Sequence, residues 1–119
     1  MKMSVLGLVF VMSATSASAA NDEGFGRGMG SQTCEAFTRE RAEEPDSEAL
    51  FYEWAEGYMT GSNVTILATG RSAYRDLSGD SSDQMSRIRA FCETHPSSRF
   101  VDAVMDVYTH LPIAQVPSH

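Results

Sequence analysis

Apolar residues recur three and four positions apart through most of residues 33–111, the spacing that gathers side chains on one face of an α-helix. Four segments carry this period. In the first, Thr33 is placed to cap a helix on which Cys34, Phe37 and Arg41 share a face, ending near Glu43. Pro45 closes it, and Asp46 or Ser47 opens a second helix with Glu48 at its positive end. Leu50, Phe51, Trp54, Ala55, Tyr58 and Met59 form the apolar stripe of that helix, which continues through Asn63 towards Leu67 or Ala68 and stops at Gly70. Ser82 or Asp83 caps a third helix, with Met85, Ile88 and Cys92 inward and a stop at His95-Pro96, because the residue before proline avoids helical dihedrals. A fourth starts at Pro96-Ser97-Ser98, presents Phe100, Val101, Val104, Met105, Val107, Tyr108 and Leu111, and ends at Pro112. No run alternates with a period of two, so little or no β-sheet is expected. The predicted fold class is all-α, a small four-helix domain over residues 33–112.

The flanks read differently. Lys2, the apolar run Val5–Met12 and the small-residue pattern Ala17-Ser18-Ala19 have the three parts of a secretory signal peptide over residues 1–20, cleaved near Ala19 or Ala20. The apolar run covers roughly 12 Å as a helix against the ~30 Å of a bilayer core, so it predicts an address and not a membrane span. Residues 21–32, with four alternating glycines, predict a flexible leader; a phosphate-binding loop would need a preceding strand. Residues 113–119 predict a loose tail. The polar segment 70–82 predicts a solvated loop, since counting a calcium loop from Asp76 puts Ser81 at the glycine position and Arg87 at the glutamate position.

Export changes the reading of Cys34 and Cys92, the only two cysteines. A pair of thiols in an oxidising compartment predicts one disulfide, from the start of the first helix to the end of the third. Closing a loop of that length stabilises a chain by roughly 4 kcal/mol on entropic grounds. A free thiol with a histidine partner, or a metal site, are the rival readings. His95, His110 and His119 lack close Cys or His neighbours at ligand spacing, so neither metal nor cofactor is expected.

Charge then narrows the partners. The chain has 9 Lys+Arg against 16 Asp+Glu and a net charge of −7, which argues against nucleic acid. Lys2 is the only lysine, so the expected mature chain carries eight arginines and a charge of −8. Glu53, Glu56, Asp102 and Asp106 read as a solvated helix face, and no nucleophile, base and orienting group are spaced as a catalytic set, so no enzyme is predicted. Asn63-Val64-Thr65 is formally a glycosylation sequon and reads as chance. The candidate partner or client surface is Trp54, Gly57, Tyr58, Met59 and Gly61 on the second helix. Trp54 and Tyr58 suit a core stripe as well as a surface, and Gly57 and Gly61 suit close helix packing within the chain or across a homodimer.

Thr33-Cys34-Glu35-Ala36-Phe37, the segment from Phe91-Cys92-Glu93-Thr94-His95-Pro96 through Phe100-Val101-Asp102-Ala103-Val104, and Trp54-Ala55-Glu56-Gly57-Tyr58-Met59-Thr60-Gly61 together resemble the HdeA/HdeB family of periplasmic acid-stress chaperones over roughly residues 33–111. That resemblance implies a periplasmic protein, folded and dimeric at neutral pH, that dissociates in acid and binds unfolding client proteins. Composition is compatible with it, because protonating the carboxylates leaves a charge of about +12. A looser resemblance is to the Rap1a/Tai type of exported helical immunity proteins. It implies instead an inhibitor that neutralises a cognate cell-wall amidase effector.

Overall fold

The computed structural model describes residues 26–117. The expected signal peptide, the first part of the leader and residues 118–119 lie outside the described residues. Four helices make up most of the domain: α1 (Cys34–Glu43), α2 (Ser47–Ala68), α3 (Ser81–Thr94) and α4 (Phe100–Thr109). Two short strands, β1 (Ala73–Arg75) and β2 (Ile113–Gln115), complete it.

The predicted all-α class holds, and the cross-link joins Cys34 to Cys92 with their Cα atoms 4.8 Å apart. It ties the first turn of α1 to the last turn of α3, next to a trio of fully buried phenylalanines. Phe37, Phe51 and Phe100 come from α1, α2 and α4, with ring centroids 4.9–5.0 Å apart in tilted and edge-on arrangements. Each full burial of such a side chain is worth roughly 1.5–3 kcal/mol. Met59, Ile88, Val104 and Val107 continue the core away from the rings. Thr33 caps α1 as its sequence predicts, accepting from the Ala36 N–H at 3.1 Å. Gly70 ends α2 with φ +81°, a conformation that glycine adopts without a Cβ penalty.

Several expectations are corrected. The segments predicted as a solvated loop and a loose tail pair with each other: β1 and β2 run antiparallel, Tyr74 opposite Ala114. The pairing is too short to show a period of two, and side chains from α2 and from β1 itself fasten it to the helices. Asn63 and Arg75 supply these, as described below. The glycine-rich leader is not loose where it is described: Gly28–Ser31 forms a single 3-10 turn with Gly30 buried. α3 starts earlier than Ser82 or Asp83, because the Asp80 carboxylate accepts from both the Ser82 N–H and its hydroxyl at 2.7 Å. α4 starts later than Pro96. Carbonyls of that segment are taken by the start of α1, the Cys34 N–H donating to Ser98 O at 2.7 Å and the Glu35 N–H to Pro96 O at 2.9 Å. The α4 entry is set at Arg99, whose N–H donates to Asp102 Oδ2 at 2.8 Å, and by the Phe100 N–H donating to Gln32 O at 2.7 Å.

Candidate functional site

α2 is the longest helix, at 22 residues, and only one side of it faces the domain. Phe51, Ala55 and Met59 are buried there. The opposite side presents Leu50, Gly57, Gly61 and Val64, which fall together on the helical wheel. Leu50 is 53% exposed, Val64 61% and nearby Leu67 37%. Nothing lies within 4 Å of where a Cβ on Gly57 or Gly61 would stand. The reading of these glycines as an intrachain helix contact is therefore corrected. They floor a shallow groove of about 490 Å³, walled by Tyr58, Ser62, Thr65 and Ile66.

The exposed Glu53 and Glu56 lie along the first half of the helix, and the second half is unusual in an acidic chain. Residues 57–70 contain no charged side chain. The hydroxyls along it turn back onto their own helix: Ser62 donates to Tyr58 O at 2.9 Å and Thr65 to Gly61 O at 2.9 Å. Such back-bonding satisfies the hydroxyl locally and leaves fewer outward donors.

Tyr58 borders the groove, and Trp54 stacks on Tyr58. Their rings stack with centroids 5.5 Å apart and planes 18° apart, and Trp54 also meets Phe100 edge-on at 6.0 Å. Both are half-buried, rooted in the core with a surface edge. The 3-10 turn covers the indole. A methyl group on Gly30 would overlap the six-membered ring of Trp54, so this close approach requires glycine. Met59, grouped with these residues on sequence grounds, is 1% exposed and belongs to the core side of α2. The structure thus brings Trp54, Gly57, Tyr58 and Gly61 onto one accessible side and separates Met59 from them.

Asn63 is the residue that sequence reasoning undervalued. Its Nδ2 donates to Arg75 O at 2.8 Å, and its Oδ1 accepts from the Arg75 N–H at 3.0 Å and the Tyr108 hydroxyl at 2.7 Å. The side chain behaves as a strand partner for β1 while sitting on a helix. Arg75 adds a bond from Nη1 to Leu111 O at 2.9 Å, so α2, β1 and the end of α4 meet at one node. Burial pushes the Tyr108 hydroxyl above its ordinary pKa. The signal was present: asparagine in a helix interior is unfavourable unless its amide has a partner. Elsewhere, Tyr52 donates to Gln84 Oε1 at 3.0 Å, and burial followed by the nearby Glu56 carboxylate raises its pKa. Glu48 reaches Arg41 at 3.5 Å and Arg89 at 3.7 Å, linking α1, α2 and α3.

The candidate acids do not converge. Asp102 is engaged at the α4 N-terminus, and Asp106 lies 3.9 Å from His110 Nδ1. His95 and His110 sit at helix C-termini, their Nδ1 atoms 3.0 Å from Phe91 O and 2.7 Å from Asp106 O. Among the described residues no group of three or more His, Cys, Asp or Glu is placed to hold a metal ion, and no helix is long and apolar enough to cross a membrane. Comparison with protein-family models, curated proteins and solved structures finds no match for this chain.

Proposed function

We propose that this chain is an exported, HdeA-like protein-binding module that loosens in acid and holds unfolding client polypeptides. The outward side of the C-terminal half of α2, beyond the exposed Glu53 and Glu56, carries the reading. Val64 and Leu67 are exposed there beside a glycine-floored groove, with no charged residue from 57 to 70. An extended apolar segment of a client is the chemistry such a surface takes up.

Acid would enlarge that surface. Protonation removes the carboxylate partners of Arg41, Arg89 and Arg99 while the arginines stay charged, so the helices repel one another. The Cys34–Cys92 link keeps α1 and α3 together as this happens. The periplasm suits both the disulfide and the exposure to environmental acid.

The test is suppression of client aggregation by the oxidised mature protein. Suppression at pH 2–3 and not at pH 7 supports the reading. Equal behaviour at both values removes it. The groove is already open in the folded state, which favours a second reading: a folded partner, such as the cell-wall amidase effector of an immunity pair. A chain that stays compact at pH 2 and inhibits such an enzyme at pH 7 would establish that alternative.

A further inference from the structure

The polar turn between β1 and α3 borders a recess of about 330 Å³. Its charged lining is Asp76, Asp80, Asp83 and Arg87. Arg87 Nε lies 3.2 Å from Asp83 Oδ2, so that carboxylate already has its cation. His110 joins the lining with its Nδ1 against Asp106 O at 2.7 Å. Three carboxylates against one guanidinium leave an excess of two negative charges, carried by Asp76 and Asp80.

Gln84 enters the wall of this recess from the first turn of α3 and is only 3% exposed. Its Nε2 has no hydrogen-bond partner, and a Cβ on Gly79, in the same lining, would stand 3.6 Å from it. Its Oε1 is 3.0 Å from the Tyr52 hydroxyl, which also has the Glu56 carboxylate within hydrogen-bonding reach. One hydroxyl proton thus faces two acceptors while the amide N–H groups go unused. The two ends of a glutamine amide have the same shape, and the hydrogen bonds decide which of them is oxygen. Turning the amide over lets Nε2 donate to Tyr52 and Tyr52 donate to Glu56. It leaves Oε1 beside Gly79, at the wall of the acidic recess. A buried carbonyl oxygen there is costly unless a donor or a cation meets it.

We propose that Gln84 turns its carbonyl oxygen towards this recess and, with Asp76 and Asp80, holds a hard divalent cation of the calcium class. The donors are all oxygens, the set that Ca²⁺ takes and that softer transition metals do not favour. Asp76 Oδ1 accepts from the Ser78 N–H at 2.9 Å, and Asp80 Oδ1 from the Ser82 N–H and hydroxyl at 2.7 Å. A carboxylate offers about four lone-pair sites, so each keeps capacity for a ligand. The ion's charge matches the excess of two on the lining. The spacing is not that of an EF-hand loop, because the amide oxygen comes from a helix and not from the turn. Two carboxylates and one amide oxygen, with water in the remaining positions, make a weak site, in the range of roughly 0.1–1 mM found for extracellular calcium modules. The proposal does not depend on the client-binding reading.

The experiment titrates the oxidised mature chain with CaCl₂ at pH 7 against an NaCl series of equal ionic strength, reading binding by calorimetry and stability by thermal unfolding. Asp76→Asn, Gln84→Met and Gln84→Glu are measured beside it. The expected result is saturable binding with a Kd of roughly 0.1–1 mM and a rise in melting temperature that NaCl does not reproduce. Asp76→Asn and Gln84→Met each weaken binding by about tenfold or more, and Gln84→Glu, which puts a full charge at the ion, tightens it. Asp76 lies outside the core, so Asp76→Asn reads the site even where Gln84→Met fails to fold. Absence of saturable binding up to about 10 mM, ten times the weak limit of that range, would overturn the proposal. So would binding that Asp76→Asn leaves unchanged, or a folded Gln84→Glu that binds no more tightly than the parent chain.

Discussion

Replacing Asn63 by alanine removes the side chain that fastens β1 to α2. Three hydrogen bonds disappear together, two to the Arg75 backbone and one from the Tyr108 hydroxyl. At about 1 kcal/mol net for each, the loss is about 3 kcal/mol. Alanine is the better helix former and returns about 0.6 kcal/mol. The net destabilisation is therefore about 2.5 kcal/mol, which lowers the melting temperature of a domain this size by roughly 10–20 °C. Thermal and urea unfolding followed by circular dichroism measure it. Amide exchange should accelerate at Arg75, which loses its acceptor, and at Val116, whose N–H donates to Ser72 O at the end of the same strand pair. Tyr108→Phe alone removes one bond and should cost about 1 kcal/mol. In the Asn63→Ala background it should cost almost nothing, a coupling of about 1 kcal/mol in the double-mutant cycle. A variant within about 0.5 kcal/mol of wild type, with protected Arg75 and Val116 amides, would show that the sheet is held by something else and refute the argument.

Three further outcomes are expected. Substituting both cysteines by serine should lower stability by roughly 4 kcal/mol, measured by urea unfolding at pH 7, with the larger effect on the population of loosened states in acid. Gly30→Ala should destabilise by about 1–3 kcal/mol through overpacking against the Trp54 ring and should shift the emission of that tryptophan; an unshifted spectrum would mean that the turn does not press on the indole. Hydrogen bonds to Ser78 hold the Asp76 carboxyl below 3.8, and bonds to Ser82 do the same for Asp80, so both stabilise the folded state above that value. Their contribution is lost as pH falls through the lowered folded values. Tyr52 and Tyr108 have the opposite sense: their pKa values are raised above 10.0, so their contribution is complete below 10.0 and is lost as pH rises through the folded values. Asp80→Asn should flatten the acid limb of the stability profile, and Tyr52→Phe the alkaline limb.

The helices and the cross-link were legible along the chain because their causes are local. A period of 3.6, a threonine before Cys34 and a glycine after Thr69 act through neighbours a few residues away, and two cysteines leave one possible pairing. The four-residue misplacement of the α4 start has a non-local cause: carbonyls at Pro96 and Ser98 are claimed by α1, more than sixty residues earlier. The candidate site divides the same way. Periodicity placed Trp54, Tyr58, Gly57 and Gly61 on α2, but an apolar stripe does not say which edge a neighbouring helix will cover. Gly57 and Gly61 proved open because the packing partners of α2 meet the Phe51–Ala55–Met59 side, and Met59 was buried for the same reason. The two strands had no signature of their own, since three residues are too few to show alternation; Asn63, Arg75 and Tyr108 hold them there, and those side chains meet only once α2 and α4 have packed.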